Sequence, residues 1–388
     1  MSYALFGCIS PLLSVFLKDE KGLTAAHVGV AMAMVSASYL ISPALLTLLA
    51  DTRLQTRQIL ALSYALTGGV LLALMASGAV PLTMGLMAVY GLSIVAMTPL
   101  QDGLYFSAAR ARQEEGAPVI PYPKVRIWGT LGYMAPALAL WWLLRGEDSV
   151  APAFWVACVC AAASVANALI FLPAAAPSAR RARTRLPTAE ALRVLMGPNT
   201  RWLCLGLALA TGCGLTYHHF FPIYLRDQIR LGSEWIPLVI NLGVLVEVGC
   251  TLNYPRLQRW LGDKGIITAG LACMIARMLL LSHFPSLATA LLVQLFHGLE
   301  ITALLVVMPM LLDRLAGDHF RNSMQGAFSM IMGLSRLLGS LLAGRAVEKD
   351  MLGALQGAAL VGLAAWLVIV LGFRPPRPAD ETPTRATS

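Results

Sequence analysis

The stretch VAPAFWVACVCAAASVANALIFL (150–172) runs straight into PAAAPSARRARTRLPTAEALRVLMGPNT (173–200). The first segment holds no charge over 23 residues. At 1.5 Å per residue it is long enough, as a helix, to cross the roughly 30 Å hydrocarbon core of a bilayer. The second is rich in proline and alanine and carries Arg180, Arg181, Arg183, Arg185 and Arg193. A spanning helix followed by a basic connection is the unit of a polytopic membrane protein.

The same alternation recurs on both sides. Apolar runs precede it at about 2–17, 26–49, 58–79, 82–108 and 125–144. Others follow at about 201–224, 233–253, 265–283, 285–312, 322–343 and 351–373. The long connection therefore divides twelve predicted spans six and six. This predicts an N-terminal half (1–172), a basic linker (173–200), a C-terminal half (201–373) and a Pro-rich, polar, disordered tail (374–388). No run shows the ten-residue alternation of barrel strands. The first span offers only about 16 residues, about 24 Å of helix, which predicts that the true start lies upstream.

Composition agrees. Of 388 residues, 57% are hydrophobic and only 13% charged, and mean hydropathy is +0.70. A soluble surface needs about twice that charge. The net charge of +9 forms no basic stripe or aromatic RNA motif, so nucleic acid is excluded as a partner. The charge marks topology instead. The even-numbered connections and the tail hold 20 Lys and Arg, the opposite side holds 7, and Arg277 and Arg336 fall inside spans. Both termini are expected in the cytoplasm. The seven cysteines lie in apolar segments without zinc spacing, so neither disulfides nor a metal is predicted. No cleavable signal peptide is visible.

Ionisable groups inside spans are costly and mark solute or ion pathways. Here they are Asp102 in the fourth span, Arg126 entering the fifth, Glu247 in the eighth, Arg277 in the ninth, His297 and Glu300 in the tenth, and Arg336 in the eleventh. His297 and Glu300 are three apart and share a helix face. A carboxyl in a dry cavity favours its neutral form and a nearby arginine favours its charged form, so the pair suits proton coupling. The competing reading is a structural ion pair of Arg277 with Glu247 or Glu300. Arg126 reads equally as a substrate group or a snorkelling anchor, and Arg336 as a structural partner of an acid across the halves. Of the adjacent His218 and His219, one is expected to line the cavity and the other to pack. Tyr133, Tyr217, Phe220 and Tyr224 offer rings for a cyclic solute or for helix packing.

Several of these stretches resemble a known family. Pro123-Lys124-Val125-Arg126-Ile127-Trp128-Gly129-Thr130-Leu131-Gly132-Tyr133 is similar to the start of the fifth helix in the lactose and phenylpropionate permease branch of the major facilitator superfamily. Phe296-His297-Gly298-Leu299-Glu300 resembles the tenth helix of that branch, and Pro99-Leu100-Gln101-Asp102 its fourth-helix acid. Phe221-Pro222-Ile223-Tyr224-Leu225 and Asn241-Leu242-Gly243-Val244-Leu245-Val246-Glu247 are similar to phenylpropionate permeases in particular. The resemblance implies an all-α membrane protein of about twelve transmembrane helices in two six-helix halves, the major facilitator fold. It implies substrate binding by Asp102, Arg126, Tyr133, Tyr217 and His218, and proton coupling by Glu300, His297, Arg277 and Glu247. The chain departs from the family in three places. The loop motif after the second helix keeps Asp51 but has Thr47 for its first glycine and Arg53 and Arg57 out of register. Gln294 stands where lactose-permease relatives carry a lysine, and Tyr133 is the sole ring offered where they stack a tryptophan.

The expectation is a proton-coupled symporter of the cell inner membrane. It would be monomeric, embedded in the lipid bilayer and without a cofactor, importing a small aromatic carboxylate. The rivals are a nucleoside or sugar symporter, an efflux antiporter and a membrane sensor. The loops hold no nucleophile–base or metal constellation and no P-loop, so an enzyme is not expected.

Overall fold

The computed structural model describes residues 1–51, 55–95, 97–120, 122–172 and 189–374. Most of the linker and nearly all of the tail, with the disorder expected there, lie outside the described residues. Helices occupy the predicted spans: Ala25–Asp51, Thr56–Ala76, Val80–Val95 continued by Met97–Glu114, Ala151–Ile170, Thr200–Asp227, Ile236–Leu252, Tyr254–His283 and Met351–Gly372. Among the described residues seven helices are both long and apolar enough to cross a membrane. Three of the predicted spans, the first, fifth and tenth, are interrupted. Their interruptions lie beside the cavity described below.

Each break has a local cause. In the first span Ser2–Ile9 stops before Pro11, which has no N–H to continue the ladder, and resumes as Leu13–Val15 and a π-turn at Phe16–Glu20. In the fifth, Tyr122–Met134 and Pro136–Leu143 meet at Pro136. The helix Tyr254–His283, which carries the ninth span, turns abruptly just ahead of that span at Gly262, whose φ of 64° suits glycine. The tenth is built of four successive segments: α-helix Leu287–Leu292, 3₁₀ turn Val293–Phe296, α-helix His297–Thr302 and π-turn Ala303–Val307. Such changes inside a helix mark hinges and functional positions. It then leads into Met308–Lys349, which contains the eleventh span, Gly326–Lys349.

Without a hydrophobic drive between helices in lipid, close packing depends on small residues. A side chain at Gly29 in the second span would meet the Ser340 carbonyl oxygen at 2.6 Å and Gly344 Cα at 2.7 Å in the eleventh. The two halves thus touch backbone to backbone.

Further contacts between halves gather at the end of the molecule opposite the chain termini. Lys18 pairs with Asp227, and Asp19 accepts from Arg226 at 2.6 Å. Glu348 accepts from Thr24 Oγ1 at 2.9 Å and from the Ala26 N–H at 2.6 Å. Trp141 meets Trp235 edge-to-face at 5.7 Å. Deeper in, Asn241 Nδ2 donates to the Met134 carbonyl at 3.1 Å. The neighbours of the clasp charges hold it in place. Glu20 accepts from the Val150 N–H, and Lys21 donates to the carbonyls of Met75 and Ser77. In the run Lys18-Asp19-Glu20-Lys21, two residues reach across and two anchor the segment within its own half.

Candidate functional site: a charged cluster on the wall of a central cavity

A cavity of about 390 Å³ lies largely within the C-terminal half, walled mainly by the seventh, ninth and tenth spans. Ser10, Pro11 and Tyr133 close it from the N-terminal half. These are the positions beside the Pro11 break and near the Pro136 break, so the bends of the first and fifth spans shape the wall.

Glu300 sits on this wall and is 4% exposed, while Arg277 behind it is completely buried. Arg277 Nη2 donates to Glu300 Oε2, and His218 Nε2 lies 3.0 Å from Glu300 Oε1. The carboxylate is held on both oxygens. Arg277 Nη1 lies 3.3 Å from His297 Nδ1. Because a guanidinium only donates, Nδ1 must accept and the ring proton sits on Nε2. That nitrogen is 3.7 Å from Glu247 Oε2. The expected direct pairing of His297 with Glu300 is therefore replaced by a bridge: both residues are held by Arg277.

Other residues position the guanidinium. Its centre lies 3.7 Å from the centroid of the Tyr217 ring, and Gln294 Nε2 donates to the Tyr217 hydroxyl at 3.1 Å. Tyr217 also stacks on Phe221 at 4.5 Å. The face of Tyr217 expected to be offered to a solute thus bears on Arg277. Gln294, noted in the sequence only as a departure from relatives, fixes that ring. Two glycines let the tenth span come close enough for these contacts. A side chain at Gly243 would meet Gln294 Oε1 at 2.7 Å, and one at Gly270 would meet the Leu299 carbonyl oxygen at 2.9 Å. Arg277 Nε is buried without a hydrogen-bond partner among the described residues. The guanidinium is therefore not fully satisfied where it lies.

Both His218 and His219 line the cavity, against the expectation that only one would. The cavity lies along the axis between their two directions: His218 turns to Glu300, and His219 Nε2 lies 3.2 Å from Ser340 Oγ on the eleventh span. Arg336 also lines the cavity. Its expected acid across the halves is absent among the described residues; a ring across the halves, Tyr39 of the second span, takes that place, its centroid 5.6 Å from the guanidinium.

Asp102 lies apart. It accepts from the Tyr122 hydroxyl at 2.8 Å, joining the fourth and fifth spans, and does not line the cavity. Arg126 is on the helix Tyr122–Met134, but its side chain lies outside the described residues. The structure thus brings together Glu300, His297, Arg277, Glu247, His218, Tyr217 and Tyr133, and leaves Asp102 out.

The sequence matches the MFS_1 like family over residues 1–354. The chain belongs to that family, within the major facilitator superfamily. A maltose permease of Geobacillus stearothermophilus is 26% identical over 389 residues, covering 97% of this chain and 93% of that one. In fold the chain is similar to the nucleoside transporter NupG, with a TM-score of 0.81 at 17% identity over 95% of both chains. It is also similar to the peptide transporter POT, solved in complex with alafosfalin, with a TM-score of 0.71 at 12% identity over 95% of this chain and 91% of that one. The chain is a secondary transporter of the major facilitator type, a multi-pass membrane protein in two six-helix halves.

Proposed function

We propose that this transporter is a proton-coupled symporter of the cell inner membrane, with both termini cytoplasmic, importing a small organic solute, an aromatic carboxylate in the first instance. The observation that supports this reading is the buried Arg277–Glu300 pair on the cavity wall, with His218 and His297 at hydrogen-bond distance. A carboxylate balanced by a guanidinium is affordable in a dry interior. With the guanidinium withdrawn it is a lone charge, and it takes up a proton. Glu300 is then the proton carrier. Arg277 holds the charged form, and His297 links the pair to Glu247.

The remaining carry-over from the family resemblance divides. Tyr133 and His218, on the cavity wall, serve as substrate contacts. Asp102, bound to Tyr122, serves to join the fourth and fifth spans and meets solute only if those spans move, while Arg126 keeps its two readings as a substrate group or a snorkelling anchor.

A second reading keeps the coupling and changes the cargo to a sugar or nucleoside. The similarity to a maltose permease and to NupG favours it. Uptake of labelled solutes of each class into proteoliposomes, with and without an imposed inside-alkaline pH gradient, tests the proposal. Accumulation that follows the gradient is expected. Equilibration alone, indifferent to the gradient, overturns symport.

A further inference from the structure

The membrane-embedded charges are unevenly shared. Glu300, Glu247, Arg277, His218 and His297 form one connected group on the seventh to tenth spans. Arg336 faces the same cavity from the eleventh span, outside that group. Among the side chains the structure describes, no acid lies within ion-pair distance of it. Its polar surroundings are the Tyr39 ring and, one turn further along, Ser340, whose hydroxyl donates to the Arg336 carbonyl and lies 3.2 Å from His219 Nε2. None of these carries a negative charge.

An arginine within a membrane span is costly unless it meets an opposite charge. Stacking over a tyrosine offsets only part of that cost. Arg277 cannot be the group that waits for a ligand, since it is fully buried and engaged by Glu300, His297 and Tyr217. Arg336 is half-buried, reaches the cavity and has a free planar fork. That fork matches the two oxygens of a carboxylate in a way a point charge does not.

We propose that Arg336 is the anion anchor of the transport site and that the solute carries a carboxylate, which completes the ion pair this arginine lacks. The proposal deepens the transport reading, on which it rests for the use of the cavity. It also decides between the two cargo readings, because a neutral sugar or nucleoside would leave Arg336 uncompensated. Since Tyr39 belongs to one half and Arg336 to the other, an anion bound here sits at a junction of the two halves.

The test measures binding to the purified full chain in detergent, with no pH gradient, so it stands or falls separately from proton coupling. Three matched pairs serve as probes: benzoate and benzamide, glucuronate and glucose, uridine monophosphate and uridine. Thermal unfolding is followed for wild type, Arg336→Gln and Arg336→Lys. A carboxylate is expected to raise the unfolding temperature while its neutral partner does not. Arg336→Gln should weaken that binding by about tenfold or more, with Arg336→Lys between the two. Phenylglyoxal should modify Arg336 in wild type, and the binding acid should protect it. This second readout does not depend on the variants folding. A neutral probe that stabilises as well as its acid overturns the proposal. So does undiminished binding by Arg336→Gln, and so does a panel in which no acid either stabilises the protein or protects Arg336. Stabilisation by uridine monophosphate alone also overturns it, since the bound anion would then be a phosphate and not a carboxylate.

Discussion

Replacing Arg277 by methionine removes one partner of a buried pair while keeping an unbranched side chain in its place. Both partners are cut off from water, at 0% and 4% exposure. Breaking such a pair from one side costs about 3–5 kcal/mol, because the remaining charge stays buried. The variant also loses the stack on Tyr217, worth about 2 kcal/mol when desolvated, and the contact with His297. Two effects work the other way. Glu300 keeps His218 at 3.0 Å, which takes part of the charge if protonated. Glu300 also escapes the penalty by binding a proton. The expected net cost is therefore near the lower end, about 3 kcal/mol. Denaturant titration of purified protein in detergent at neutral pH measures it. Adding Glu300→Gln removes the stranded charge, so the double variant should recover much of the loss. That coupling should be at the upper end of the roughly 0.5–3 kcal/mol typical of contacting residues. Stability of Arg277→Met within about 0.5 kcal/mol of wild type, or purely additive effects in the double variant, would refute the buried pair as described.

The clasp at the far end of the molecule makes a second prediction. Asp227→Lys should loosen it and raise the labelling of a cysteine placed near Lys18, and the exchanged pair Lys18→Asp with Asp227→Lys should restore protection. The gain is modest, since each exposed pair contributes about 0–1 kcal/mol. Labelling unchanged in the single variant would show that backbone contacts such as Gly29 with Gly344 seal this end alone. The positive-inside distribution makes a third: a reporter fused after Ser388 should behave as cytoplasmic, and export of that reporter would invert the topology.

The fold was readable because lipid imposes a coarse rule, that a span must be long and apolar, and composition reports that rule directly. The site was readable in part for the same reason. Arg277, His297 and Glu300 stand out because charges inside apolar runs are rare. Their partnerships were not readable. The spacing of His297 and Glu300 says that they share a face, but nothing in it says that an arginine from another helix comes between them. Arg336 looked like half of an ion pair, and only the packing of the second span against the eleventh reveals that its neighbour is Tyr39. Gln294 acts through Tyr217, a contact between residues 77 positions apart that has no local pattern. Asp102 matched a motif, yet its carboxylate is taken by Tyr122, a residue lying just inside a helix start after a proline.

The most direct test of the account is to separate exchange from accumulation in Glu300→Gln. The amide has the shape of the protonated carboxyl and cannot release a proton. With a solute transported by the wild type, proteoliposomes carrying the variant should exchange labelled for unlabelled solute across the membrane, because those steps use only the protonated carrier. The same vesicles should fail to concentrate solute under an imposed pH gradient, because the empty carrier returns only after losing its proton. Loss of exchange and accumulation together would reduce Glu300 to a structural group, and accumulation that persists under the gradient would contradict its role as the proton carrier.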